Sequence, residues 1–206
     1  MPSLRRSLGA ELAALYLTAV LAVFVVERST GLVDPAGLAS SPAALAAGKV
    51  WTLLTSGFLI DGAAAPQLVV TAALAFAALR CGGSRLFWTA AAAGHIGSTL
   101  IAYAGVGLIS LVDERLVDGV VSAPDYGISC VWAAGLGVVA AGAWLRGGTR
   151  GRLIASASLG ILVAVTVYSQ GIATVEHVLA WILGAAVAVA VARHSDDAAA
   201  TLPFCA

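Results

Sequence analysis

Two side chains in this sequence have the types needed to move a proton onto and off a reacting bond. Ser129 stands in Gly127-Ile128-Ser129-Cys130 at the mouth of one apolar run, and His177 stands near the start of another. Serine and histidine are the smallest set that acyl transfer needs: the imidazole takes the hydroxyl proton as the oxygen attacks, then returns it to the leaving amine. At a rise of about 1.5 Å per residue, Ser129 lies about 3 Å and His177 about 6 Å inside their runs, so the two are expected in one layer. Asp125, four residues before Ser129, is read either as a cap on the helix carrying the serine or as an orienting partner of His177. Glu176 adjoins His177 in sequence, and adjacent helical residues do not face each other.

The elements that must position these groups follow from composition. Of 206 residues, 60% are hydrophobic and 11% charged, and the mean hydropathy is +0.97. A globule of this length cannot hide that much apolar surface from water, so the expected solvent, and the first partner, is a lipid bilayer. Formal net charge is zero and the basic residues form short clusters, which argues against nucleic acid. Cys81, Cys130 and Cys205 show no metal spacing and are expected as free thiols.

Runs long enough to span occur at about 8–26, 64–80, 86–109, 127–145, 153–170 and 173–192. The expectation is an all-α membrane protein: one six-transmembrane-helix domain over 1–192, then a short tail over 193–206. The first run is read as a retained helix and not a signal peptide. The longest connection, Glu27 to Ala63, holds Val50 to Leu59, a stretch too short to span and suited by its tryptophan to the membrane interface. Arg5, Arg6, Arg80, Arg85, Arg146, Arg150, Arg152 and Arg193 fall on the ends that even crossings assign to one side. By the positive-inside rule that side, with both termini, is cytoplasmic, and the plasma membrane is the expected location.

His95, near the middle of the third run, is read as a histidine hydrogen-bonded between helices. His95, His177 and His194 lie at different depths and no His-Glu-x-x-His occurs, so no metal site is expected. Phosphate-loop and dinucleotide glycine patterns are absent, and no cofactor is called for.

Six runs, a long interfacial first loop, a serine heading the fourth run and a histidine early in the sixth resemble the rhomboid intramembrane serine proteases. That family carries Gly-x-Ser-Gly with a glycine eight residues after the serine, matched here by Gly127, Ser129 and Gly137. Its Ala-His-x-x-Gly-x-x-x-Gly pattern is matched by His177 and Gly184, and its Trp-Arg-Leu-Leu-Thr by Trp51-Thr52-Leu53-Leu54-Thr55. The resemblance implies a rhomboid-like bundle and a Ser129–His177 dyad hydrolysing peptide bonds of membrane-anchored substrates. Where the family has His-x-x-x-Asn to stabilise the oxyanion, this chain has Gln67 and Thr71. Cys130 and Ala180 replace family glycines, and Glu176 a small residue. Removing one oxyanion donor costs about 100- to 1,000-fold in rate, so these departures keep open a catalytically silent relative that binds transmembrane clients. A small-solute transporter would need a midplane site and broken helices, and paired intramembrane charges are absent.

Overall fold

The computed structural model describes residues 2–169 and 171–196; within them the chain is helical, with no strand and one isolated antiparallel bridge, Ser40 with Asp125. In order come α1 (Pro2–Thr30), three short helices α2 (Pro35–Leu38), α3 (Pro42–Ala46) and α4 (Thr52–Thr55), then α5 (Ala64–Ala92), a π-helical turn Ala93–Gly97 and α6 (Ser98–Ser110). The one-turn α7 (Asp118–Val121) precedes α8 (Ile128–Arg146), α9 (Gly148–Tyr168) and α10 (Ile172–Asp196). Five helical stretches are long and apolar enough to cross a membrane: Leu8–Thr30, Ala64–Ser110, Ile128–Arg146, Gly148–Tyr168 and Ile172–His194.

The second stretch does not run straight. Gly83 sits at φ 72°, ψ −168°, a conformation that L side chains avoid and that reverses the chain inside α5. Thr71, Ala75 and Ala78 consequently line one small void with Phe87, Ala90 and Ala91. In an unbroken helix Thr71 and Ala91 would stand about 30 Å apart. The turn expected between the second and third runs is therefore made by one glycine within continuous helical chain. Helical bounds also exceed the expected ones elsewhere: α9 begins at Gly148, not near 153, and α10 runs on through Arg193. The expected tail over 193–206 is thus helical at its start, and its residues 197–206 lie outside the described residues.

At the centre stands α8, with 67% of its apolar window buried inside the protein, against 17% to 28% for the other four stretches. Its packing on α10 is reciprocal. A Cβ added to Gly137 would overlap the Trp181 carbonyl, and one added to Gly184 would overlap the Ala134 carbonyl. Backbone thus meets backbone at this crossing, the close approach that small residues permit where lipid supplies no hydrophobic drive. Polar stitches reinforce it from α9: the Ser158 hydroxyl donates to the Leu136 carbonyl (3.0 Å) and accepts from the Trp181 indole N–H (3.2 Å).

The first connection folds over one end of the bundle. Trp51 and Leu54 are exposed while Thr52, Ser56, Leu59 and Ile60 are buried, so this stretch offers one apolar edge outward. It is held by the Tyr16 hydroxyl donating to the Gly57 carbonyl (2.6 Å) and the Thr55 hydroxyl to the Leu38 carbonyl (2.7 Å).

Gly137→Ala and Gly184→Ala are each expected to destabilise by about 1–3 kcal/mol through overpacking, read as a lower melting temperature in detergent. Gly105→Ala, whose Cβ meets nothing within 4 Å, is the control and should be neutral or stabilising by about 0.5–1 kcal/mol.

Candidate functional site

Ser129 is the second residue of α8 and His177 the sixth of α10. Measured from the glycine crossing, Ser129 lies eight residues above Gly137 and His177 seven above Gly184, so both stand about 11 Å above it. They line the same cavity of about 610 Å³, with Asp61, Gln67, Asp125, Tyr126, Trp132, Tyr168 and Ser169 also in its wall.

No hydrogen bond joins the two. The Ser129 hydroxyl donates to the Tyr126 carbonyl at 3.3 Å, a long bond that is readily exchanged. His177 is 5% exposed; its Nδ1 is 3.1 Å from Ser169 Oγ and its Nε2 has no partner. Ser169 Oγ already donates to the Val165 carbonyl (2.9 Å). With its only proton so placed, it accepts from Nδ1–H, which leaves the lone pair on Nε2. The Trp132 ring lies 5.6 Å from the imidazole centroid, tilted 33°, and Trp132 is three residues after Ser129 on the same face of α8. Ser169 and Trp132 were not singled out from sequence; the spacing from Ser129 to Trp132 was the available signal for one, and nothing marked the other.

The remaining sequence candidates divide. Gln67 lines the cavity, but its amide donates to the Asp61 carbonyl. Thr71 does not: its hydroxyl bonds back to the Gln67 carbonyl (2.7 Å) and its side chain lines the separate void inside the α5 hairpin. As an oxyanion donor it is corrected by that geometry. Nor does Asp125 cap α8. Gly127 occupies the cap position and no side chain bonds there; in the first turn the Cys130 and Val131 N–H groups donate to the Gly127 carbonyl (3.1 and 3.4 Å), and those of Ile128 and Ser129 are uncapped. Asp125 instead exchanges backbone bonds with Ser40 (2.8 and 3.2 Å) and accepts from the Tyr103 hydroxyl (3.2 Å). Burial pushes its carboxyl above the usual range, opposed by the Tyr103 hydroxyl, the Tyr126 N–H and the neighbouring Glu176 carboxyl. Cys130 and Ala180, where the resembling family has glycines, pack together in a core cluster with Trp132, Ala133 and Leu136.

His95 belongs to a different task. It sits in the π-helical turn, 6% exposed, with Nε2 3.4 Å from Ser56 Oγ. Its partner is thus the first connection and not a second membrane helix. Gly57 and Gly127 press on opposite parts of the ring: a Cβ at Gly127 would overlap the imidazole, and one at Gly57 would lie 3.0 Å from Nε2. Gly127 has φ −85°, so its need for glycine is one of space, not of backbone conformation. The Gly127 N–H also donates to the Ser56 carbonyl (2.9 Å), and His95 thereby sets where α8 starts. Among the described residues no group of three or more His, Cys, Asp or Glu gathers around one point.

Gly127→Ala should lower the melting temperature, and His95→Ala should remove most of that penalty. The expected coupling in the double-mutant cycle is about 0.5–3 kcal/mol; strict additivity would contradict the contact.

Compared with known proteins, the chain matches no protein-family model, no curated protein and no solved structure.

Proposed function

We propose that this protein is a rhomboid-like intramembrane serine protease with a Ser129–His177 dyad, cleaving membrane-anchored proteins. One observation carries the reading: two parallel helices locked by Gly137 and Gly184 lift a serine and a histidine to equal height beside one cavity, and the histidine nitrogen left unpartnered is the one that must serve as base. In this reading α5 contributes two spans, one on each side of Gly83, giving six crossings with both termini cytoplasmic. The cavity then opens toward the outer face of the plasma membrane.

Turnover requires the Ser129 hydroxyl to leave the Tyr126 carbonyl and donate to His177 Nε2. Its oxygen attacks the scissile carbonyl, and the proton passes to the leaving amine through the same nitrogen. Ser169 holds Nδ1–H, so it is a positioning residue that fixes the tautomer. The uncapped Ser129 N–H at the head of α8 faces the developing oxyanion; Gln67 joins it once its amide releases Asp61. Ser129 acting through an ester intermediate with water as second substrate balances the reaction without a cofactor.

A second reading, a silent relative that binds transmembrane clients, is favoured by the missing Ser129–His177 hydrogen bond and by the commitment of Gln67 to Asp61. The two separate on cleavage of a model transmembrane substrate by the detergent-purified protein. Ser129→Ala should abolish cleavage and His177→Ala should lower it about 100-fold or more, while Ser169→Ala should lower kcat with little change in KM. Cleavage that survives in Ser129→Ala removes the protease reading, and an intact substrate with folded wild type moves the assignment to client binding.

A further inference from the structure

Beside the cavity lies a group of oxygen-bearing side chains that hydrolysis does not use. Ser40 follows α2, Thr99 and Tyr103 lie one turn apart on α6, Asp125 precedes α8, and Glu176 is in the first turns of α10. Ser40, Thr99 and Glu176 are 0% exposed, Asp125 and Tyr103 6%. The Tyr103 hydroxyl reaches Asp125 Oδ2 at 3.2 Å and neighbours Ser40, while the Glu176 carboxyl faces both Asp125 and Thr99. No basic side chain acts on either carboxyl. Ser40 Oγ, Thr99 Oγ1 and both Glu176 oxygens have no hydrogen-bond partner.

Fully buried polar atoms are rarely left so, and four together around two carboxyls call for something that accepts many lone pairs at once. A proton between the carboxyls engages one oxygen of each and leaves both hydroxyl oxygens unanswered. A metal cation engages all of them. The set offers four carboxylate and three hydroxyl oxygens, with no nitrogen or sulfur, which suits a hard cation taking about six to eight oxygens. Magnesium, which keeps several waters, suits so dry a place poorly.

We propose that Ser40, Thr99, Tyr103, Asp125 and Glu176 form a binding site for a hard metal cation, with calcium the best match to two carboxylates. Such an ion ties the first connection, α6, α10 and the head of α8 together next to Ser129 and His177. The proposal is independent of proteolysis and holds equally for a silent client binder.

The test uses the full chain in detergent, treated with chelator and then exchanged into choline chloride. Adding calcium, or sodium in a parallel arm, should raise the melting temperature. Terbium excited through Tyr103 should give saturable luminescence that calcium competes away. Glu176→Gln should lose both signals; in case it does not fold, Ser40→Ala and Thr99→Val keep the carboxyls and should each weaken competition about tenfold or more. Response to sodium alone makes the ion monovalent and retains the site. A melting temperature indifferent to both cations, or terbium luminescence unchanged in all three variants, overturns the proposal and leaves a carboxyl pair sharing a proton.

Discussion

Two helices present side chains to one shared space only if their crossing is fixed, and here it is fixed by the contact of α8 with α10 through Gly137 and Gly184. In lipid there is no gain from merely removing apolar surface from the solvent, so association rests on how closely backbones approach. A Cβ on either glycine would push the axes apart at the crossing and displace Ser129 and His177 about two turns above it. The site is thus set at a distance, by residues that never touch the cavity. The same logic explains why α8 is the most enclosed helix: it packs on α5, α9 and α10, and its buried positions include seven alanines and glycines in the run Ala133 to Ala143.

Above the crossing, small residues give way to polar ones, most of whose partners come from far along the chain. His95 clamps Ser56 and Gly57 against Gly127, Asp125 pairs with Ser40, and Ser169 holds the His177 ring. Each ties a connection to the rest of the bundle, and the His95 and Asp125 contacts are buried, so losing a partner there is costly. The first connection therefore does more than link α1 to α5. It closes one end of the bundle and fixes the first turn of α8, where the serine and its uncapped N–H are.

Much of this was legible in the sequence because lipid simplifies the code. Apolar run length located the long apolar stretches, and Gly137 and Gly184 were marked by the motifs of the family the chain resembles. The parts that were not legible depend on tertiary partners. Thr71 is one turn from Gln67, and a threonine in a helix readily bonds the carbonyl four residues back, which removes it from the cavity. Asp125 looked like a cap because it precedes a helix, yet a bridge to Ser40 and a hydroxyl from Tyr103 hold it elsewhere. Gly127 matched a motif position, but its reason for being glycine, the imidazole of His95, is thirty-two residues earlier in the chain. Ser169 carried no pattern at all, since one hydroxyl in a short connection has no periodicity to betray it.

Intact-mass spectrometry after exposure to a fluorophosphonate decides whether Ser129 is a nucleophile activated by His177. The expected result is one adduct per chain, mapped to Ser129, absent from Ser129→Ala and strongly slowed in His177→Ala. Folded wild-type protein that forms no adduct, or one that reacts as fast without His177, would contradict it.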